Sequence, residues 1–252
     1  MLVDTHCHIH ESYELPIDEV LAQAHVDGVS QMICVGTNEE SSKQAIDFSN
    51  THTEAFASIG VHPHDTKDGY GAIAELAGSS DRIIAVGEIG LDYFYTNSPK
   101  DTQITALRTQ IEVALKHNLP IIFHVREAFG DFWPIFESYE GIRGVLHSFT
   151  DSKENMQKAI SLGLYIGVNG ISTFTKDETQ KATFDAIPID KIIFETDAPF
   201  LTPTPYRGKV NQPAYVRKVA EFHAARRGIS LEEIANASTQ NARALFNLPV
   251  QS

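Results

Sequence analysis

The stretch MLVDTHCHIH at the start of the chain carries the first residues able to hold a metal ion. His6 and His8 lie two positions apart at the end of a short apolar run. Side chains on a β-strand point alternately to its two faces, so both imidazoles would share one face and Cys7 would occupy the other. A strand ending of this kind presents two imidazoles to one cation. His10 has the same parity but lies past the run, and we expect it outside the site.

Four further residues of metal-ligating type stand at or near the ends of four other apolar runs. They are Glu88, His124, His147 and Asp197. Imidazole and carboxylate ligands suit Zn²⁺, Mn²⁺, Co²⁺ or Fe²⁺, while Mg²⁺ prefers more oxygen ligands. With His6 and His8, the set of four imidazoles and two carboxylates exceeds the needs of one tetrahedral site. We therefore predict two divalent cations, with Zn, Mn and Mg left open, and Glu88 as the carboxylate that bridges them.

Eight short β-branched or apolar runs carry these residues and are typical of buried parallel strands. They lie at 2–6, 31–36, 55–61, 82–88, 120–125, 143–149, 164–168 and 191–197. Segments of helical length and pattern separate them, such as 16–28 and 101–118, and two more follow at 213–227 and 230–247. Eight strands alternating with helices predict an α/β protein with the (β/α)8 or TIM barrel fold, as a single domain over residues 1–252.

A barrel of this kind explains why the ligand-type residues end strands, because its active site forms at the carboxyl ends of the strands. A doubly wound open sheet is the alternative. That fold usually carries a glycine-rich phosphate loop after an early strand, and neither GxGxxG nor GxxxxGKS/T occurs in the sequence.

The composition limits the classes of partner. The chain has 20 basic and 33 acidic residues, a formal net charge of −13, which argues against holding long nucleic acid on a broad cationic surface. Its 2 cysteines do not make a disulfide framework, and no run approaches the roughly 18 apolar residues of a membrane helix. We expect a cytoplasmic protein with no membrane association, and we predict no stable protein partner.

Seven motifs follow one another along essentially the whole chain. They read DTHCHIH, GVHPHD, VGEIGLDY, FHVREA, VLHSFT, ETDAPFLTP and RGKVNQPAYV. In this order they resemble the motifs of the TatD-type metal-dependent deoxyribonucleases. GEIGLDY and ETDAP together make the resemblance specific, whereas HxH alone is a weak signal.

The resemblance implies a (β/α)8 hydrolase of the amidohydrolase type with a divalent metal pair. One metal would be held by His6, His8, Glu88 and Asp197, and the other by Glu88, His124 and His147. The activity implied is metal-dependent hydrolysis of DNA phosphodiester bonds, as a 3′ to 5′ exonuclease that prefers single strands. The expected partner is therefore DNA or an oligonucleotide substrate.

Two departures from the motifs of similar proteins affect substrate contacts. The segment GLDYFYTNSPKDTQ lacks the arginine that commonly follows GLDY. The segment RGKVNQP has Val210 in place of a basic residue and Gln212 in place of an acidic one. Every expected metal ligand is retained. We expect these changes to alter substrate preference and rate rather than the metal centre.

Two carboxylates are the predicted catalytic residues. Paired divalent metals lower the pKa of bound water and stabilise the charge on an in-line phosphoryl transition state. Asp197 is expected to act as general base as well as ligand. Glu88 is expected to act by bridging.

Three residues are predicted to bind substrate. Arg126 lies two positions after His124, and its guanidinium can bind a phosphate through two parallel hydrogen bonds. His62 and His64 follow the third strand and either contact phosphate or support a metal ligand. The three aromatic residues at 93–95 either stack on an unpaired base or only pack their loop.

Two other functions stay open at the level of the sequence. An activated hydroxide attacks carbon as readily as phosphorus, so a hydrolase of esters or amides, such as a D-aminoacyl-tRNA deacylase, is the first alternative. A metal-binding scaffold without turnover is the second. The complete ligand set argues against a scaffold.

Overall fold

The computed structural model describes residues 1–250 and divides into two compact units. The terminal unit combines Met1–Cys34 with the chain from Ser148 onward, and the central unit is Val35–His147.

Over residues 1–250 the chain forms eight strands, which alternate with helices. The strands are β1 (Leu2–Cys7), β2 (Val29–Val35), β3 (Ala55–Ile59), β4 (Ile83–Asp92), β5 (Ile121–Arg126), β6 (Gly144–Leu146), β7 (Tyr165–Val168) and β8 (Ile192–Phe194). The α-helices are α1 (Ile17–Val26), α2 (Glu39–Thr51), α3 (Ile73–Leu76), α4 (Lys100–Lys116), α5 (Phe129–Phe136), α6 (Lys153–Ser161), α7 (Ile171–Phe174), α8 (Glu178–Ala186), α9 (Val216–Arg227) and α10 (Leu231–Phe246). Short 3₁₀ turns lie at Thr66–Asp68 and Pro213–Tyr215.

Each of the eight runs predicted from the sequence overlaps a strand, but three strands end three or more residues from the predicted end. β4 continues four residues past Glu88, to Asp92. β6 and β8 end earlier than their runs, so His147 and Asp197 lie on the loops that follow them. The ligand-type residues therefore lie both on strands and just beyond them.

The terminal unit pairs β1 with β2 and β7 with β8, both parallel. An isolated parallel bridge joins Cys7 at the end of β1 to Ala198 beyond β8. Cys7 and Cys34 are partners in the β1–β2 register, and both are buried and free. Helix α10 packs against both β1 and β8, which covers the apolar face of these strands.

The central unit is a parallel arrangement of β3, β4, β5 and β6 in chain order. Helix α2 packs on β3 and α4 packs on β4. The rings of Phe132 and Phe136 meet the buried ring of Phe123 at centroid distances of 5.2 and 6.0 Å, and attach α5 to β5. No helix within residues 1–250 has the length and apolar character needed to cross a bilayer.

Candidate metal centre

Two imidazoles and one carboxylate converge in the terminal unit, and we call them the His6 cluster: His6, His8 and Asp197. The two Nε2 atoms are 3.2 Å apart, and they lie 3.6 and 3.4 Å from Oδ1 of Asp197. One ligand atom from each residue fits within 4.8 Å of the others. His6 is fully buried, while the side chain of Asp197 keeps 16% of its surface exposed. This donor set fits a divalent metal of the Zn²⁺ or Mn²⁺ type.

A buried carboxylate positions both ends of the His6 cluster. Asp4 on β1 accepts hydrogen bonds from the backbone N–H (2.8 Å) and the hydroxyl (2.6 Å) of Thr196, the residue before Asp197. The backbone N–H of Asp197 in turn donates to the carbonyl of His6 at 2.8 Å. Burial raises the pKa of Asp4 to about 8, against the lowering effect of the bonds from Thr196.

Asn211, in the RGKVNQP motif, holds the same loop from its other side. Its side-chain amide donates to the carbonyl of Thr196 at 2.8 Å, and its backbone N–H donates to the carbonyl of Pro199 at 3.1 Å. Asp197 has a φ of 60°, in the left-handed region that non-glycine residues adopt at a cost. The hydrogen bonds of Asp4 and Asn211 stabilise this conformation, which aims the carboxylate at the histidines.

Three imidazoles surround one carboxylate oxygen in the central unit, and we call this group the Glu88 cluster: Glu88, His62, His124 and His147. The distances to Oε1 of Glu88 are 2.7 Å from Nδ1 of His124, 3.5 Å from Nε2 of His147 and 3.7 Å from Nε2 of His62. The carboxylate is 4% exposed. Such a concentration of nitrogen donors around a buried carboxylate also fits a divalent metal.

The GEIG segment of β4 brings Glu88 to this position. The β4–β5 register shifts between Val86 and Ile89, and the backbone N–H of Glu88 donates to the carbonyl of Gly36 at 3.0 Å. After the shift Gly90 pairs with His124 at a φ of 157°. A β-carbon at this glycine would lie 1.7 Å from the carbonyl oxygen of His124, so only glycine permits the approach.

Asp92, at the end of β4, is the second carboxylate beside the Glu88 cluster. Its Oδ2 lies 3.0 Å from Nε2 of His124 and 3.0 Å from Nε2 of His64. Its Oδ1 accepts from the backbone N–H groups of Phe94 and Tyr95. Burial raises the pKa of Asp92, but the hydrogen bonds from His124 and Tyr95 outweigh burial and hold that pKa well below its usual range.

His124 lies between two carboxylates. Burial disfavours its imidazolium, but the hydrogen bonds to Asp92 and Glu88 outweigh burial and raise the pKa of His124. Metal-binding histidines commonly have this arrangement, in which the ring nitrogen that does not bind the metal is hydrogen-bonded to a carboxylate.

A backbone hydrogen bond fixes the tautomer of His62. Its Nδ1 accepts a hydrogen bond from the backbone N–H of His64 at 3.1 Å, so the neutral ring carries its proton on Nε2, toward Glu88. Burial, and then His124, lower the pKa of His62 to about 3, which keeps the ring neutral. A protonated Nε2 donates a hydrogen bond and does not bind a metal.

Arg126 packs on exposed aromatic rings in the central unit. Its guanidinium carbon lies 3.9 Å from the ring centroid of Phe94 and 5.1 Å from that of Tyr95. The ring of His64 meets Tyr95 edge-on at 5.2 Å. Of the three predicted substrate residues, His62 belongs to the Glu88 cluster. His64 bonds to Asp92 beside it, and Arg126 shares the ring of Tyr95 with His64.

His10 is next to the His6 cluster but is not one of its three ligand-type residues. Its Nε2 lies 3.8 Å from Glu11, and its ring is 6.2 Å from that of His8. Sequence reasoning did not identify the positioning roles of Asp4 and Asn211. Both stand inside the quoted motifs, so the motif letters beside the ligands were the available signal.

Comparison with known proteins agrees with this chemistry. Residues 3–247 match the family of TatD related DNases. The chain belongs to the TatD-related DNase family. It is 38% identical to the metal-dependent hydrolase YabD of Bacillus subtilis, over 98% of this chain and 100% of YabD. It is 33% identical to the 3′-5′ ssDNA/RNA exonuclease TatD of Salmonella typhimurium, over 92% of this chain and 93% of that protein.

A solved structure gives the same result for the fold. The TatD homologue YJJV from Escherichia coli superposes with a TM-score of 0.91 at 26% identity, over 98% of each chain. The predicted (β/α)8 fold class, the predicted family and the predicted class of metal-dependent hydrolase are therefore confirmed. The predicted single domain stays a prediction.

Proposed function

We propose that this member of the TatD-related DNase family hydrolyses DNA phosphodiester bonds from the 3′ end of single strands, with two divalent cations as cofactors. The observation that carries the proposal is the convergence of imidazoles on the buried Oε1 of Glu88, at 2.7 Å from His124 and 3.5 Å from His147. An apolar core does not require such a concentration of polar groups, whereas a metal-dependent hydrolase does. The name of the Salmonella relative supports the choice of substrate.

The metal ligands we propose are those expected from the sequence. His6, His8 and Asp197 would hold one cation, and Glu88, His124 and His147 the other, with Glu88 as the shared carboxylate. A divalent pair supplies an activated water at neutral pH and neutralises charge on the phosphoryl oxygens. Asp92 faces Nε2 of His124, so Nδ1, which lies 2.7 Å from Glu88, is the nitrogen that would bind the cation.

Asp197 is our candidate general base. Its side chain is 16% exposed, against 7% for His8 and 0% for His6, so within the His6 cluster the carboxylate is the group most exposed to solvent. It can hold the proton taken from the attacking water.

Three side chains are proposed to hold the substrate phosphate. The protonated Nε2 of His62 is a donor aimed into the Glu88 cluster. Arg126 is exposed and keeps N–H groups available at the edge of its stacked guanidinium. His64 is fixed by Asp92 and lies at their side. These donors would contact a single phosphodiester group. Such a small site does not need a broad cationic surface, so it is compatible with a net charge of −13.

The test uses protein purified without chelator or added metal. Its metal content is measured first; it is then stripped and assayed with Mn²⁺, Mg²⁺ or Zn²⁺ on 5′-labelled single-stranded DNA and on D-aminoacyl-tRNA. We expect about two metal equivalents and a ladder of products shortened from the 3′ end, which a 3′-terminal phosphorothioate linkage stops. Cleavage of the ester alone would refute the nuclease assignment.

We also propose a cytoplasmic location. Cys7 and Cys34 face each other across β1 and β2 as free thiols, which is the state expected in a reducing compartment. Trapping both thiols with a maleimide immediately on cell lysis and unfolding tests this; a recovered Cys7–Cys34 disulfide would contradict it.

A further inference from the structure

Two neighbouring aromatic side chains beside the Glu88 cluster have large exposed surfaces. Phe94 is 49% exposed and Tyr95 is 45% exposed, and their rings meet edge to face at 4.7 Å. Arg126 covers part of both rings. We call Phe94, Tyr95 and Arg126 the aromatic platform. Adjacent exposed aromatic rings beside a candidate metal centre offer apolar surface that a ligand can cover.

The loop that carries the aromatic platform is fixed by the same carboxylate that orients His124. Oδ1 of Asp92 accepts from the backbone N–H groups of Phe94 and Tyr95 at 3.0 and 3.1 Å, and Oδ2 lies 3.0 Å from His124. Gln103 of α4 anchors the base of the loop, since its side chain accepts from the N–H of Asp92 and donates to its carbonyl. A ligand on the platform is therefore held at a fixed position relative to Glu88 and His124.

We propose that the aromatic platform binds an unpaired nucleobase of the substrate strand by stacking. The proposal rests on the proposed function for the identity of the strand and adds a base-binding subsite to it. Phe94 and Tyr95 offer π-faces, and Arg126 adds a planar cation, the combination that binds single strands with little sequence preference. Bases in a duplex are already stacked on their neighbours, so this subsite selects single strands.

The chemistry of the platform favours a base over other apolar ligands. Arg126 is exposed, and its guanidinium lies against the same two rings, so it can bind a phosphate joined to a base stacked there. An aliphatic ligand would cover the rings but leave the guanidinium without an anion. A nucleotide supplies both the aromatic face and the anion.

The experiment measures binding in the presence of EDTA, so that no cleavage occurs. A fluorescent single-stranded dodecamer of thymidylate is compared with a matched strand whose three 3′-terminal residues are abasic tetrahydrofuran spacers. We expect the wild-type chain to bind the base-bearing strand about tenfold more tightly, the effect of one or two stacked bases. The double variant Phe94→Leu/Tyr95→Leu should bind both strands equally.

Two further variants serve as controls. Phe94→Tyr/Tyr95→Phe keeps both aromatic faces and should keep the tenfold preference. Tyr139→Leu removes another tyrosine of the central unit, whose hydroxyl donates to Glu112 of α4, and should also keep it. A wild-type chain that binds the two strands equally, or a leucine double variant that keeps the preference, would overturn the proposal.

The outcome separates this proposal from the nuclease assignment. Suppose that no metal restores cleavage of either strand, while the wild type prefers the base-bearing strand and the leucine double variant does not. The nuclease assignment is then refuted and the base subsite is supported. If cleavage is restored and the leucine variant keeps the preference, the nuclease stands and the subsite fails.

Discussion

The His6 cluster and the Glu88 cluster hold similar donors in different surroundings. Asp197 and its two histidines are supported by buried polar groups, of which Asp4 is fully buried and bonded to the adjacent Thr196. Beside Glu88 lies a second carboxylate, that of Asp92, which also binds the backbone of a loop with exposed aromatic rings. The first arrangement is suited to holding a metal and a proton acceptor in one geometry. The second also has the exposed donors and rings that a substrate needs.

The largest effect is expected from removing the carboxylate charge of each cluster in turn. Glu88→Gln and Asp197→Asn preserve shape, and each should lower the rate of DNA cleavage by about 10³-fold or more, because charge at the reacting phosphate is no longer balanced. If Glu88 bridges, Glu88→Gln should lose both metal equivalents and Asp197→Asn at most one, measured by elemental analysis after dialysis. Wild-type metal content in Glu88→Gln would exclude the bridging role.

A smaller effect is expected at Asp92, which acts on the Glu88 cluster through His124. In Asp92→Asn an amide replaces the acceptor that faces His124 and His64, so metal affinity measured by chelator competition should fall about 10- to 100-fold. The control is Asp131→Asn, which alters a carboxylate that accepts from the hydroxyl of Tyr93 at 2.8 Å. We expect that control to change affinity less than about twofold. Equal losses in both variants would mean that Asp92 has no specific role.

Asp4 is the corresponding test for the His6 cluster, and here the expected loss is in stability. Asp4→Ala removes the acceptor of the buried N–H of Thr196 and the nearer of two acceptors of its hydroxyl, which costs about 2–3 kcal/mol of unfolding free energy. Asp4→Asn keeps one acceptor and should lose about half as much. Urea unfolding of both variants, with Glu14→Ala as an exposed control, measures this. Equal stability of Asp4→Ala and the wild type would show that the Asp4–Thr196 contact is not needed to hold the loop.

The sequence predicted the eight strands well, because they depend on a local pattern, whereas the metal-ligand assignments stay predictions. Buried parallel strands are continuous apolar runs, and histidine or carboxylate at their ends stands out against them. The length of β4 was harder to predict, since GEIGLD contains two glycines and ends in an aspartate. Its extension depends on pairing with β5, which brings Asp92 opposite Arg126.

The positioning role of Asp4 could not be assigned from the sequence, because its partner is distant along the chain. Asp4 bonds to Thr196 across 192 positions, and nothing in DTHCH or ETDAP alone says that the two motifs meet. The role of His62 depended on a single hydrogen bond to its Nδ1. A residue type predicts which atoms can bind, while only the fold determines which nitrogen carries the proton.

The smallest effect concerns a histidine outside both clusters and sharpens the contrast with His124. His223 on α9 is fully buried, and its Nε2 lies 2.9 Å from the hydroxyl of Ser172. That hydroxyl donates to the carbonyl of Asn169, so the ring donates from Nε2, and among residues 1–250 no group bonds to its Nδ1. Burial, and then Arg227, lower the pKa of His223 to about 3, whereas the carboxylates around His124 raise that of His124.

This difference gives a pH dependence of defined sign. An unfolded chain protonates His223 below about pH 6.5 and the folded chain does not, so its contribution to stability is complete above that pH and is lost as the pH falls toward 3. Between pH 6.5 and 5 the wild type should lose about 1.5 kcal/mol more unfolding free energy than His223→Gln. Urea unfolding in EDTA measures it, with His25→Gln, on the exposed side of α1, expected to follow the wild type. If His223→Gln shows the wild-type slope, His223 is protonated in the folded chain, and burial without a carboxylate partner does not keep this histidine neutral.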